Sequence, residues 1–155
     1  MDRNEFIHQA ILLAVENVQN DGGPFGALVV KDQQIVATGT NQVTSSLDPT
    51  AHAEIVAIRK ACRALGSFEL AGCEIYCSCE PCPMCLGAIY WSRPERVFFA
   101  APGLAAADAG FDDSFIKGQI CLPYKTQQLS IVHLTHDMAL APFQAWKAKP
   151  DKIVY

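Results

Sequence analysis

The sequence predicts an α/β protein, a three-layer α/β/α sandwich around a mixed sheet of about five strands. Three observations carry that expectation. An amphipathic helix leads into two short apolar runs spaced as a hairpin. Two strand-to-strand connections are then long enough to hold a crossover helix, which calls for parallel pairing. No internal repeat, linker or change of composition interrupts the 155 residues, so 1–155 is expected to be one domain, with 150–155 as a tail.

Residues 4–20 place Ile7, Ala10, Ile11, Ala14, Val15 and Val18 on one helical stripe, and Asp21-Gly22-Gly23-Pro24 breaks it. Residues 26–31 and 34–40 are the hairpin strands, although Asp32-Gln33 between them is a mediocre turn pair. Phe25, in the Gly-rich bend before the first strand, reads either as a core aromatic or as a ring lining a substrate pocket. Asn41 closes the second strand, where an Asn is commonly a turn or cap residue. Residues 42–48 read as loop, and Asp48-Pro49 as the start of a helix running to about Leu65. His52 and Glu54 then occupy its first turns, about 200° apart around the axis.

Residues 72–78 form a third strand leading into Glu80-Pro81-Cys82, and Pro81 and Pro83 suit the first turn of a helix that Arg93-Pro94 ends. Residues 96–100 are a fourth strand, 104–109 a short helix, and 110–115 an acidic, aromatic loop. Leu129 to Leu134 is expected to supply a fifth strand, and Ala139 to Lys147 a last helix. The tail ends apolar on Ile153-Val154-Tyr155.

Composition narrows the class. Hydrophobic residues make up 50% and charged ones 18%, as in a globular, soluble chain. The apolar stretch Ile7 to Val18 is broken by His8, Gln9 and Glu16, so neither a signal peptide nor a membrane span is expected there. Seven cysteines without a secretory signal point to a reducing, cytoplasmic setting, and the odd count fits no disulfide framework. A net charge of -4 gives no global pull towards nucleic acid or an anionic membrane, which favours a small-molecule substrate.

Chemistry concentrates in Cys82-Pro83-Met84-Cys85 and His52-Ala53-Glu54. Two cysteines three apart at the mouth of a helix put two thiolates on one face, and the positive helix end favours thiolate. His52 would make three protein ligands and leave a fourth position for water, the arrangement of a catalytic rather than a structural zinc. The cysteine pair alone equally suits a redox couple or half a structural zinc clip, and a lone histidine is usually a cap or core residue. The conjunction counts for more, because both fragments open helices that strand-helix-strand order brings to one sheet edge. One Zn2+ per chain is therefore expected on His52, Cys82 and Cys85. Glu54, near the metal without being needed as a ligand, is the candidate catalytic proton carrier. Glu80 reads as a helix cap. Cys77 and Cys79 alternate on one strand face and read, like Cys62, Cys73 and Cys121, as plain thiols.

The pattern H-x-E followed by P-C-x-x-C resembles that of the zinc nucleobase deaminases, in which activated water attacks a ring carbon while the glutamate moves the proton. Beyond it, GGPFGA (22–27), DPTAHAE (48–54), CEPCPMCLGAIYW (79–91), AGFDDSF (109–115) and PFQAW (142–146) resemble the compact bacterial-type guanine deaminases. The resemblance implies a cytidine deaminase-like fold and hydrolysis of guanine to xanthine and ammonia. It implies that Asn41 and Asp113 hydrogen-bond the purine edge, that Phe25 and His52 sandwich the ring, and that the tail ending in Tyr155 covers the pocket in a homodimer. Read without it, Asp112-Asp113 is a solvated acidic loop. The alternatives are a tRNA adenosine deaminase, for which no dense Lys/Arg run is present, a cytosine or cytidine deaminase, and a zinc-stabilised binding module without turnover, which would be expected to lack Glu54.

Overall fold

The computed structural model describes residues 2–155. Helix α1 (Arg3–Gln19) opens on a reciprocal cap: Glu5 N–H donates to Asp2 Oδ1 at 2.9 Å, and Asp2 N–H to Glu5 Oε2 at 2.6 Å. Its buried residues are Phe6, Ala10 and Ala14. The predicted stripe is therefore rotated. Ile11, Val15 and Val18 stay 37%, 52% and 50% exposed and form one wall of an apolar groove of about 380 Å3.

Strands β1 (Gly26–Lys31) and β2 (Gln34–Thr40) pair as the expected hairpin. Asp32 and Gln33 both take positive φ, 48° and 62°, so the pair adopts the mirror-image turn that matches strand twist despite its composition. With β3 (Cys73–Cys79) and β4 (Arg96–Ala101) the sheet order is β2-β1-β3-β4. β1 is antiparallel to both neighbours, while β3 and β4 run parallel across the crossover helix α4 (Pro83–Ser92). No strand forms over residues 129–134 among the described residues, so the sheet has four strands rather than about five. Those residues are all exposed, and apolar alternation does not by itself supply a pairing partner.

Each sheet face carries its own core, which makes the three layers. On one face Phe6 and Ala10 of α1 pack on Leu28, Val30 and Tyr76. On the other, Ala53, Ala57 and Ala61 of helix α3 (Ala53–Leu65) and Ile89 of α4 pack on Val29, Ile75 and Cys77. Gly39 lets α3 lie directly on β2, because a Cβ there would stand 2.1 Å from the Ala53 carbonyl oxygen.

Helix α3 begins later than the sequence suggested. A short helix α2 (Val43–Ser46) fills part of the expected loop, and Asp48 accepts from Thr50 N–H at 2.8 Å and from Thr50 Oγ1 at 2.7 Å. Its carboxylate is thereby spent on a local turn, and His52 becomes the cap of α3. The chain forms two compact units, the first ending at Phe115 and including α5 (Gly103–Asp108). The second, Ile116–Tyr155, holds most of α6 (Ser114–Ile120), a 3-10 turn at Tyr124–Thr126 and α7 (Ala141–Ala148). Among the described residues no helix is long and apolar enough to cross a membrane.

Candidate active site

His52 and Cys82 are the N-cap residues of α3 and α4, both with extended backbone angles just outside their helices. The two helix starts meet, and His52 Nδ1 lies 3.5 Å from Cys82 Sγ and 3.5 Å from Cys85 Sγ. Cys85 N–H, an orphan donor of the first turn of α4, points at Cys82 Sγ at 3.5 Å. The three ligand atoms lie within 4.8 Å of one another. Tetrahedral bonds of about 2.3 Å to sulfur and 2.0–2.1 Å to nitrogen place such donors roughly 3.6 Å apart, so the set fits zinc as it stands.

Glu54 is 8% exposed, and its Oε2 receives the Cys85 thiol at 3.4 Å. On a continuous helix it would have faced away from His52. Because His52 sits in extended backbone ahead of the helix, both side chains reach Cys85 from one pocket. Burial pushes the Glu54 carboxyl up, which suits a group that must hold a proton between two steps.

The thiols share their protons unequally. The neighbouring Cys85 side chain, with His52 adding, pulls Cys82 down to about 4, which favours its thiolate form. Cys85 is pushed the other way, first by its bond to Cys82 and then by burial. The bond to Cys82 raises His52. A cation has a ready anion here and a second thiol to deprotonate.

The neighbouring cysteines are not part of the ligand set. Cys77 is buried, and burial holds its thiol well above the ordinary value. Cys79 Sγ points at the Pro102 carbonyl at 3.8 Å. Burial raises Cys79 as well, with the carboxylates of Glu54, Glu80 and Asp113 adding to it. Glu80 is a cap, but of α5 rather than α4, since its Oε2 accepts from Gly103 N–H at 2.8 Å.

Three further predicted site residues lie in the first unit. Phe25 packs against the core beneath α3, and its ring meets Phe111 edge to face at 5.1 Å. Asn41 is 9% exposed. Its Oδ1 accepts from Val43 N–H at 3.2 Å, which fixes that oxygen and turns the amide NH2 away from it as a donor. Asp113 is half-buried two residues after Phe111, while Asp112 caps α6 by accepting from Ser114 N–H at 2.8 Å. Tyr155 belongs to the second unit and is 68% exposed.

The sequence reading passed over Phe111, Ser78 and Asn17. Ser78 Oγ, buried, accepts from Gly26 N–H at 3.0 Å and anchors β1 next to Phe25. Asn17 donates to the carbonyls of Gly23 and Asn41. A polar residue at a helix end and a serine in a strand carry no pattern that marks such contacts in advance.

Known proteins agree with this geometry. Residues 1–101 match the cytidine and deoxycytidylate deaminase zinc-binding region. The chain is 53% identical to the guanine deaminase of Bacillus subtilis over the full length of both, and the crystal structure of a B. subtilis guanine deaminase superposes with a TM-score of 0.99 over 100% of this chain and 99% of that one. The tRNA-specific adenosine deaminase of Aquifex aeolicus is 42% identical over 65% of this chain and 67% of its own. A guanine deaminase from Nitrosomonas europaea superposes with a TM-score of 0.68 and 33% identity over 72% of this chain and 65% of that one. With its His52, Cys82 and Cys85 triad and Glu54 beside it, the chain belongs to the cytidine and deoxycytidylate deaminase family of zinc proteins and, within it, to the guanine deaminases of the B. subtilis kind.

Proposed function

We infer that this chain hydrolyses guanine to xanthine and ammonia. The observation that carries the reading is extent: likeness to the B. subtilis guanine deaminase spans the whole chain, whereas the A. aeolicus tRNA-specific relative matches only 65% of it. A difference in substrate handling is expected to reside in the part they do not share.

Held by His52, Cys82 and Cys85, zinc would supply a Lewis acid that lowers the pKa of water in the fourth position. Glu54 takes the water proton as the oxygen bonds to C2 of guanine, and delivers it to N3. It then moves the proton of the new C2 hydroxyl to the exocyclic nitrogen, the bond from C2 to that nitrogen breaks as the C2 carbonyl forms, and ammonia leaves. Burial of the Glu54 carboxyl supports its holding a proton between these steps. Asn41, with its NH2 directed away from Val43, offers a donor to a purine acceptor, and Asp113 accepts from N1–H and the 2-amino group. Adenine has no N1–H, so a carboxylate there discriminates against it. Phe25 and His52 enclose the ring. The tail 150–155, with Tyr155, covers the pocket in a homodimer, and the protein works in the cytoplasm, where the five cysteines outside the zinc set stay reduced thiols.

Purified protein offered guanine, adenine, cytosine, their nucleosides and tRNA should release ammonia fastest from guanine. Preferred turnover of tRNA or cytidine would replace this reading with one of the others while leaving the zinc chemistry in place.

A further inference from the structure

The residues read as binding the purine sit on two segments that no regular structure joins directly. Phe25 ends the Gly22-Gly23-Pro24 bend, and Asn41 follows β2. One backbone bond, Asn41 N–H to the Phe25 carbonyl at 3.2 Å, links them. A side chain of α1 supplies the rest. Asn17 Nδ2 donates to the Gly23 carbonyl at 2.8 Å and to the Asn41 carbonyl at 2.9 Å, so both amide protons are used, one on each segment. The main-chain carbonyl of Asn17 accepts from Gly22 N–H at 2.8 Å.

The packing around this amide is tight. A Cβ on Gly22 would stand 2.3 Å from Asn17 Nδ2, and one on Gly23 would stand 3.0 Å from Asn41 Cγ. Asn17 itself is fixed in the last turn of a helix anchored by fully buried Phe6 and Ala10. We propose that Asn17 is a positioning residue of the purine site, its amide setting the Phe25 bend and the Asn41 segment at the spacing that grips the base. The proposal rests on the reading of Phe25 and Asn41 as purine-binding residues. The Asn17 side chain bonds to the Gly23 and Asn41 carbonyls and not to the metal ligands or Glu54, so its effect falls on binding rather than on the chemical step.

Three variants test it: Asn17→Ala, Asn17→Asp and Gly22→Ala. Asp keeps the shape of Asn but brings negative oxygens against two carbonyls, whereas Ala only removes the donors. Gly22→Ala leaves Asn17 in place and drives its amide off both acceptors. Each should raise KM for guanine about tenfold or more, the loss of roughly one net hydrogen bond in the bound state. Zinc content should be unchanged and kcat should stay within about threefold of wild type. Kd for 8-azaguanine, measured calorimetrically with Glu54→Gln added so that no turnover intervenes, should rise in step. Asp should be the worse of the two Asn17 variants. A filler of space would give the opposite order, with Ala worse than Asp, and that order overturns the proposal. So does a KM and Kd within twofold of wild type in any folded, zinc-loaded variant. A wild-type protein that neither binds nor deaminates guanine overturns the substrate reading instead, which keeps the two failures distinct.

Discussion

His52 Nδ1 stands 3.5 Å from Cys82 Sγ, and each of these residues is the N-cap of its own helix. The metal site is thus assembled from the two positions where a helix leaves its backbone donors unpaired and its dipole favours negative charge. Neither residue caps as Ser or Asp would: His52 makes no side-chain cap bond, and Cys82 accepts from Cys85 N–H only at 3.5 Å. The ligands are held by the helix starts, so zinc binding and local folding are linked.

Cys82→Ala should therefore lose zinc and activity together, where wild type holds about one zinc per chain. Metal analysis on purified protein checks it. Full occupancy in the variant would mean that Cys79 or Cys77 serves as the ligand, against the 3.8 Å approach of Cys79 Sγ to the Pro102 carbonyl.

Glu54→Gln keeps the shape of the side chain and removes its basicity. Zinc content and guanine binding should persist while kcat falls at least ~10²-fold, the ordinary worth of a positioned general acid–base. Turnover near wild type would remove Glu54 from the mechanism.

Much of this was legible in the sequence, and the reasons differ by element. The ligand set could be read because spacing and chemistry agree: two cysteines three apart, a histidine, and strand-helix order that joins helix starts at one edge. The helix start at Asp48-Pro49 was misread because an Asx turn onto Thr50 uses the same carboxylate as an N-cap. That error hid the fact that His52 lies outside the helix, which is what lets it share Cys85 with Glu54. The strand expected at residues 129–134 failed for another reason, since pairing depends on a partner edge that local periodicity does not encode. Asn17 was invisible because its acceptors are backbone carbonyls at positions 23 and 41, which any residue presents.

A partly exposed network on the other sheet face couples stability to pH. Tyr76, fully buried, donates to Glu74 Oε2 at 2.5 Å, and Arg3 lies 3.2 Å from Glu74 Oε1. The Tyr76 bond, with Arg3 adding, holds the Glu74 carboxyl below its ordinary value of 4.5. Its contribution is therefore present above about pH 4.5 and lost as pH falls below that. Burial, then the bond to Glu74, pushes Tyr76 up to about 12 from 10. The folded state thus binds that proton more tightly than the unfolded one, and this contribution is complete below pH 10 and lost as pH rises towards 12. Urea midpoints measured across pH should fall at both ends, and Tyr76→Phe should flatten the alkaline limb. An alkaline limb unchanged by Tyr76→Phe would assign the loss to other groups.

The acidic loop supplies the last test. Gly110, at φ 95°, turns the chain after α5, and the Phe111 ring meets Phe25 edge to face at 5.1 Å with planes at 88°. Asp112 is committed to Ser114 N–H at 2.8 Å, while Asp113 is close enough to Cys79 to raise its thiol pKa. We propose Asp113, of the two adjacent carboxylates, as the one that reads the base. Asp113→Ala should lower kcat/KM on guanine by at least ~10²-fold, because a site built on hydrogen bonds penalises an unpaired buried donor. Adenine turnover should fall little or rise relative to guanine. Phe111→Ala frees the loop without removing the carboxylate, so it should raise KM for guanine with a smaller loss in kcat and no loss of zinc. Asp112→Ala is the control: it touches the α6 cap and should leave the preference for guanine over adenine intact. If Asp112→Ala shifts that preference as strongly as Asp113→Ala, the loop acts by its overall charge and the specific purine contact is wrong.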